Sequence, residues 1–165
     1  MIRKLLFVAA LFLFGILANV KTASAQDKVE IYGGYSFLHL DSTPSLNQNG
    51  WILSGQYKFN PWLGVVGEGN GEYGDGASFH TILVGPQVSL PARVSPFAHV
   101  LIGGAHFSSG PFSDTSFATA LGGGIDTKIA PFISWRIIEA DYVFTHFGGV
   151  AENNTRISTG IVLHF

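Results

Sequence analysis

The chain has 165 residues, no cysteine, and nine basic against eleven acidic side chains. Disulfides and thiolate metal sites are excluded, and the want of positive charge argues against a nucleic-acid surface. Charged residues make up only 12% and glycines number 21, whereas an ordinary soluble domain carries about 25% charge; the deficit suits an outside that faces lipid.

The first element in chain order is a leader. Arg3 and Lys4 precede an unbroken apolar run, Leu5 to Ala18, and Ala23-Ser24-Ala25 forms a small-residue cleavage site. As a helix the run reaches about 21 Å, short of a bilayer core of about 30 Å. Residues 1–25 are therefore expected to be a signal peptide, cut between Ala25 and Gln26, and 26–165 a single domain. Removing Arg3, Lys4 and Lys21 leaves that domain with a charge of −5. No cysteine lies near the cut, so no lipoprotein anchor is expected.

The rest shows period-two alternation broken by turn residues, and no convincing helical spacing. Eight strands are expected. The first, β1 at about 28–39, sets Val29, Ile31, Tyr35 and Phe37 against Glu30 and Ser36. Next come β2 at about 50–60 (Trp51, Leu53, Tyr57 and Phe59 against Ser54, Gln56 and Lys58) and β3 at about 62–73 (Leu63 and Val65 against Glu68, Asn70 and Glu72). In β4, about 79–90, Ile82, Val84, Val88 and Leu90 oppose Thr81, Gln87 and Ser89. Both faces of β5, about 96–107, are apolar or small, so its orientation stays open. In β6, about 116–129, Phe117, Leu121, Ile125 and Ile129 oppose Ala118, Ala120, Asp126 and Lys128. The last two are β7 at about 132–146 and β8 at 155–165.

Compact turns are expected at Asn60-Pro61, Pro91–Pro96 and Ala130-Pro131. Mostly longer, polar connections are expected at Asp41–Asn49, Gly74–Ser78, Ser108–Thr115 and Gly148–Asn154. In an up-and-down membrane barrel the first set is periplasmic and the second extracellular. Two aromatic bands fit two membrane interfaces: Phe59, Trp62, Phe97, Phe132, Trp135 and Phe165 at one end, Phe37, Trp51, Phe79, Phe107, Phe117 and Phe144 at the other. The fold expected is an all-β, eight-stranded, antiparallel transmembrane barrel, because closure removes the open edges that lipid forbids.

The inward residues would be polar: Lys58, Glu68, Glu72, Asp126, Lys128, Glu139, Asp141 and Arg156, with Gln56, Asn70 and Gln87. An eight-stranded barrel is just wide enough for side chains to fill it, so these charges must pair. Either they form an ion path, or they plug the barrel with salt bridges. Arg136 has the opposite parity to Glu139 and Asp141. One extra residue at Ile137-Ile138, a β-bulge, would bring all three inside; otherwise Arg136 snorkels at the rim.

The final strand alternates cleanly. Ile157, Thr159, Ile161, Leu163 and Phe165 share one face, and Arg156, Ser158, Gly160, Val162 and His164 the other. Together with Leu-Gly-Gly-Gly-Ile-Asp at 121–126, Ala-Asp-Tyr at 140–142, Thr145-x-Phe147-Gly148-Gly149 and Asn153-Asn154-x-Arg156, it resembles the single-domain, eight-stranded outer-membrane barrels similar to the membrane half of OmpA and to OmpX. The resemblance covers 27–165 in pattern and the last fifty residues in motif. It implies an outer-membrane location, with outer-membrane lipids, the barrel-insertion machinery and periplasmic chaperones as partners. It also implies a monomer with no cofactor, and an assembly signal in Ile161, Leu163 and Phe165. The chain stops at its last strand, so the peptidoglycan-binding domain of full OmpA-type proteins, and its tethering role, are not expected.

Other chemistry is weaker. His39, His80, His106 and His146 lie near the expected extracellular strand ends, as a rim metal site or simply as interfacial side chains. His106-x-Ser108 resembles the His-x-Ser of outer-membrane lipid A deacylases, but Ala118 stands where the triad carboxylate would be and Asp114 is in a loop. Gly123 and Gly124 have no following Lys-Ser/Thr, so no phosphate loop is expected. Asn153-Asn154-Thr155 matches a glycosylation sequon of little weight in an envelope protein. The expectation is a non-enzymatic barrel with a structural or surface-interaction role; a narrow pore for water or small ions is the alternative, and a lipid-modifying enzyme the third.

Overall fold

The computed structural model describes residues 28–40, 46–74, 76–147 and 150–165. The proposed leader and the Ala25/Gln26 cut lie outside them. Eight antiparallel strands run β1 Val29–Leu40, β2 Leu46–Lys58, β3 Leu63–Gly74, β4 Ala77–Ser89, β5 Val94–Ser109, β6 Phe112–Ala130, β7 Ile133–Phe147 and β8 Val150–His164. Each pairs with its neighbours in sequence, and β8 pairs back onto β1 from Glu30↔His164 to Leu40↔Asn154. The barrel is closed, so among the described residues no strand lies at a sheet edge.

Closure gives the alternation its meaning. Side chains of one parity fill the interior and those of the other cover the outside. Outward residues are apolar strand after strand, including Leu53, Ile82, Val100, Ile102, Phe117, Leu121 and Ile157. Ile82 is 79% exposed and Phe117 64%. A surface this apolar needs a lipid contact to be stable.

Of the connections expected to be long, Ser108–Thr115 is short, with 110–111 alone between β5 and β6. Pairing also extends to Leu40↔Leu46, Gly74↔Ala77 and Phe147↔Val150, and 41–45, 75 and 148–149 lie outside the described residues. Pairing follows register, and polar or small residues beyond the apolar band still offer their amides to the ladder. Gly76 (φ 75°) and Gly110 (φ 57°) supply the left-handed backbone for two of these tight turns.

Three aromatics assigned to the outer bands lie elsewhere. Phe79 and Phe97 are buried inside the barrel, and Phe107 packs half-buried on the interior cluster. Position along the strand set the banding, whereas parity decides the face. Lys128, expected inside, is exposed. A register shift between Lys128 and Ala130 disturbs alternation at that rim.

β7 is bulged. Ile125 pairs with Ile138 and Asp126 with Arg136, so Ile137 has no opposite residue in β6. On the other side Ile137 and Ile138 together span Thr159. Both isoleucines face out, while Arg136, Glu139 and Asp141 are all buried inside. The Thr159 hydroxyl donates to the Arg136 carbonyl (2.9 Å) and accepts from Trp135 Nε1 (3.2 Å), supplying a partner where the ladder is interrupted.

Candidate functional site

The interior divides into an apolar and a polar part. Leu38, Phe79, Leu83, Leu101, Ala118 and Ala120, with neighbours from β1, β3, β5 and β7, form one packed cluster. The polar part is built around two guanidiniums that alternation and the bulge turn inward.

Arg136 binds Asp126 with two parallel contacts, Nε–Oδ1 2.8 Å and Nη2–Oδ2 3.0 Å, and reaches Glu139 Oε2 through Nη1 at 2.9 Å. Its guanidinium carbon lies 4.2 Å from the Tyr32 ring centroid and 4.1 Å from that of Phe97. Planar charge between two rings is a favourable cation–π geometry away from water. Phe97 is inside because Arg136 and the adjacent Gly124 leave a place for its ring: a Cβ on Gly124 would stand 2.9 Å from it.

Arg156, 1% exposed, donates through Nε to Asp141 Oδ2 (3.0 Å) and through Nη2 to Glu68 Oε1 (2.5 Å), and Nη2 also meets Asp141. His99 enters from β5, with Nε2 2.8 Å from Asp141 Oδ1 and 3.9 Å from Glu139 Oε1. β6 lies between β5 and β7, and Gly122 clears the way across it: a Cβ there would sit 1.9 Å from Asp141 Oδ1. Ser158 donates to Glu139 Oε2 (3.2 Å) and receives Tyr32 OH (3.0 Å), and Ser36 donates to Glu72 Oε1 (2.8 Å). At the end carrying the turn 59–62, Lys58 and His164 Nδ1 flank Glu30 Oε1 at 2.5 Å and 2.9 Å, and His164 Nε2 meets Ser134 Oγ at 2.7 Å.

The structure thus brings Glu68, Asp126, Arg136, Glu139, Asp141 and Arg156 into contact pairs. Glu72 lies beside them on Ser36, and Lys58 belongs to a separate cluster with Glu30. His99, His164 and Tyr32 are interior members that sequence reasoning did not single out. For Tyr32 and His164 the signal was available, since both share parity with Glu30 or Arg156. His99 lies on the strand whose two faces look alike. His99 Nε2 and carboxylate oxygens of Glu139 and Asp141 lie within 4.8 Å of one another, a donor set a metal ion can use.

Of the other histidines, His39, His80 and His106 face out. His39 Nδ1 meets Asn47 Oδ1 (2.7 Å), and His106 Nδ1 meets Thr115 Oγ1 (2.8 Å) rather than Ser108. The His146 side chain lies outside the described residues. Ile161, Leu163 and Phe165 are exposed on the outer face of β8 and just beyond it.

No family model matches the sequence, and no curated protein matches it. Solved structures do. Ail, the attachment invasion locus protein of Yersinia pestis, is 19% identical with a TM-score of 0.55, over 84% of this chain and 100% of that one. Neisserial surface protein A is 14% identical with a TM-score of 0.59, over 84% and 97%. The N-terminal barrel of Pseudomonas aeruginosa OprF is 11% identical with a TM-score of 0.55, over 85% and 98%. The chain has the closed eight-stranded barrel fold of small outer-membrane proteins, as the expected fold class required.

Proposed function

We propose that this chain is an integral bacterial outer-membrane protein whose barrel is a rigid membrane body with a structural or surface-interaction role. The observation that carries this reading is the pairing of an apolar outside with a filled inside. Outward side chains match lipid around the whole circumference. Inward ones form buried ion pairs and a packed apolar cluster, so the barrel supports a stable wall better than a pore. Solved barrels it is similar to include an attachment invasion locus protein and a surface protein, which favours a role at the cell surface over chemistry. His106 and Ser108 do not bond each other, which removes the main support for a lipid-modifying enzyme.

The reading includes export by residues 1–25, cleavage at Ala25/Gln26, and insertion as a monomer. Outer-membrane lipid, periplasmic chaperones and the insertion machinery are its partners, and Ile161, Leu163 and Phe165 serve as the assembly signal. Membrane fractionation of cells expressing the full sequence tests it. The protein is expected in the outer membrane with Gln26 as its N-terminus, and with different gel mobility before and after boiling, because closed barrels unfold slowly. Recovery in the soluble fraction, with identical mobility in both lanes, would defeat the reading.

A further inference from the structure

We propose that His99, Glu139 and Asp141 form an interior binding site for a first-row divalent cation, joining β5 to β7 across β6. The donor atoms His99 Nε2, Asp141 Oδ1 and Glu139 Oε1 converge: Nε2 is 2.8 Å from Oδ1 and 3.9 Å from Oε1. Tetrahedral zinc with bonds of about 2.0–2.2 Å holds its ligands roughly 3.3 Å apart. Changes of about half an ångström in these two separations would bring them to that spacing.

Two further observations point to a cation. Glu139 is 1% exposed and its Oε2 is held by Arg136 and Ser158, yet its Oε1, the oxygen turned toward His99, has no hydrogen-bond partner. A buried carboxylate oxygen without a donor is costly. Acidic side chains also outnumber basic ones there. Among the described residues, the carboxylates of Glu68, Glu72, Asp126, Glu139 and Asp141 surround two guanidiniums, Arg136 and Arg156. A divalent ion offsets most of that surplus, whereas a proton on His99 offsets less.

The two acids are held as metal ligands are, while His99 Nδ1 has no hydrogen-bond partner among the described residues. Each acid keeps one oxygen on an arginine, Asp141 Oδ2 on Arg156 and Glu139 Oε2 on Arg136, which orients the other oxygen toward His99. As a ligand, His99 coordinates through Nε2 and carries its proton on Nδ1. One imidazole and two carboxylates suit zinc and its first-row neighbours. The site depends on three local features: the bulge that turns Glu139 and Asp141 inward together, Gly122, and His99 itself.

The test uses protein purified in detergent from cells expressing the full sequence. It is unfolded with chelator and refolded with Co²⁺, Zn²⁺ or chelator alone, so that access to the closed interior is not limiting. One cobalt ion per chain with visible d–d bands is expected, and a higher unfolding temperature with zinc than with chelator. His99→Gln, which can still bond Asp141, is expected to fold by gel mobility but to lose both signals. Ser158→Ala removes a hydrogen bond to Glu139 Oε2 and is expected to weaken cobalt binding about 10- to 100-fold; it serves if His99→Gln does not fold. The outward double variant His80→Gln, His106→Gln should keep both signals. Absence of bound cobalt in the refolded wild type would overturn the proposal and leave His99 as an imidazolium paired with Asp141. Cobalt bands or a zinc response that survive His99→Gln would overturn it as well.

Discussion

Arg156 has nearly all of its surface inside the barrel and satisfies Asp141 and Glu68 at once. Arg156→Leu would keep the volume but leave two carboxylates with fewer donors in a low-dielectric interior. Breaking a buried pair in this way costs about 3–5 kcal/mol, so urea unfolding in detergent should show a lower midpoint than for wild type, with folded protein still recoverable. The interior also depends on missing side chains. Gly122→Ala would place a Cβ 1.9 Å from Asp141 Oδ1, whereas one on the outward Gly55 would meet nothing within 4 Å. The first should destabilise by about 1–3 kcal/mol and the second by far less. Equal unfolding midpoints for the two variants would contradict the crossing of β6 by the His99–Asp141 contact. The acids and Arg156 of this interior were legible from parity, and Arg136 from the bulge that its parity required. Its aromatic and imidazole members were less so, because Phe97 and His99 belong to a strand where Ala98 and Val100 on the other face are also apolar. Alternation carries information only when the two faces differ in chemistry.

At the scale of the strand, the bulge in β7 lets one chain segment place Arg136, Glu139 and Asp141 on the same side. Deleting Ile137 would restore strict alternation, so Arg136 or the two acids would turn into lipid. An exposed arginine near mid-membrane costs about 2–4 kcal/mol, and the lost ion pairs add to that. The deletion variant should fail to acquire the compact unboiled gel form, while Ile137→Val should acquire it normally. Thr159 supports the same feature from β8. Thr159→Val removes the hydroxyl that bonds the Arg136 carbonyl and should cost about 0.5–1.5 kcal/mol, read as a small drop in the unfolding midpoint. The bulge could be inferred from sequence because a charge of the wrong parity is expensive. Thr159 could not, since a threonine on a lipid-facing strand is ordinary. Strand ends were also misjudged where glycine, serine and asparagine suggested loops: β8 begins at Val150 and β2 at Leu46.

For the whole molecule, the two halves of the interior do different jobs. The apolar cluster led by Phe79, Leu83 and Leu101 fills space by packing, and the ion-pair network holds β3, β6, β7 and β8 to one another through Arg136 and Arg156. With its described interior side chains packed and ion-paired, purified protein in a planar bilayer should show no discrete conductance steps at moderate salt. Regular single-channel openings in the wild type would favour the pore reading over the structural one. Closure explains why this interior tolerates so many charges: they are shielded from lipid by the wall and from one another by pairing.

The amino-acid sequence by itself determined the class of fold. Period-two alternation, scarce charge and turn residues at strand spacing leave few alternatives to a closed membrane barrel, because lipid accepts no unpaired backbone edge. It also pointed to most of the interior acids and to Arg156, while misplacing Lys128 and leaving His99 unassigned. Only the tertiary structure decided their partners. Arg156 contacts Glu68, 88 positions away, and His99 reaches Asp141, 42 positions away, across an intervening strand. Such contacts depend on how many residues each strand is staggered against the next around the whole circle. That stagger is set by closure and by the bulge acting together, and no local stretch of the chain encodes it alone.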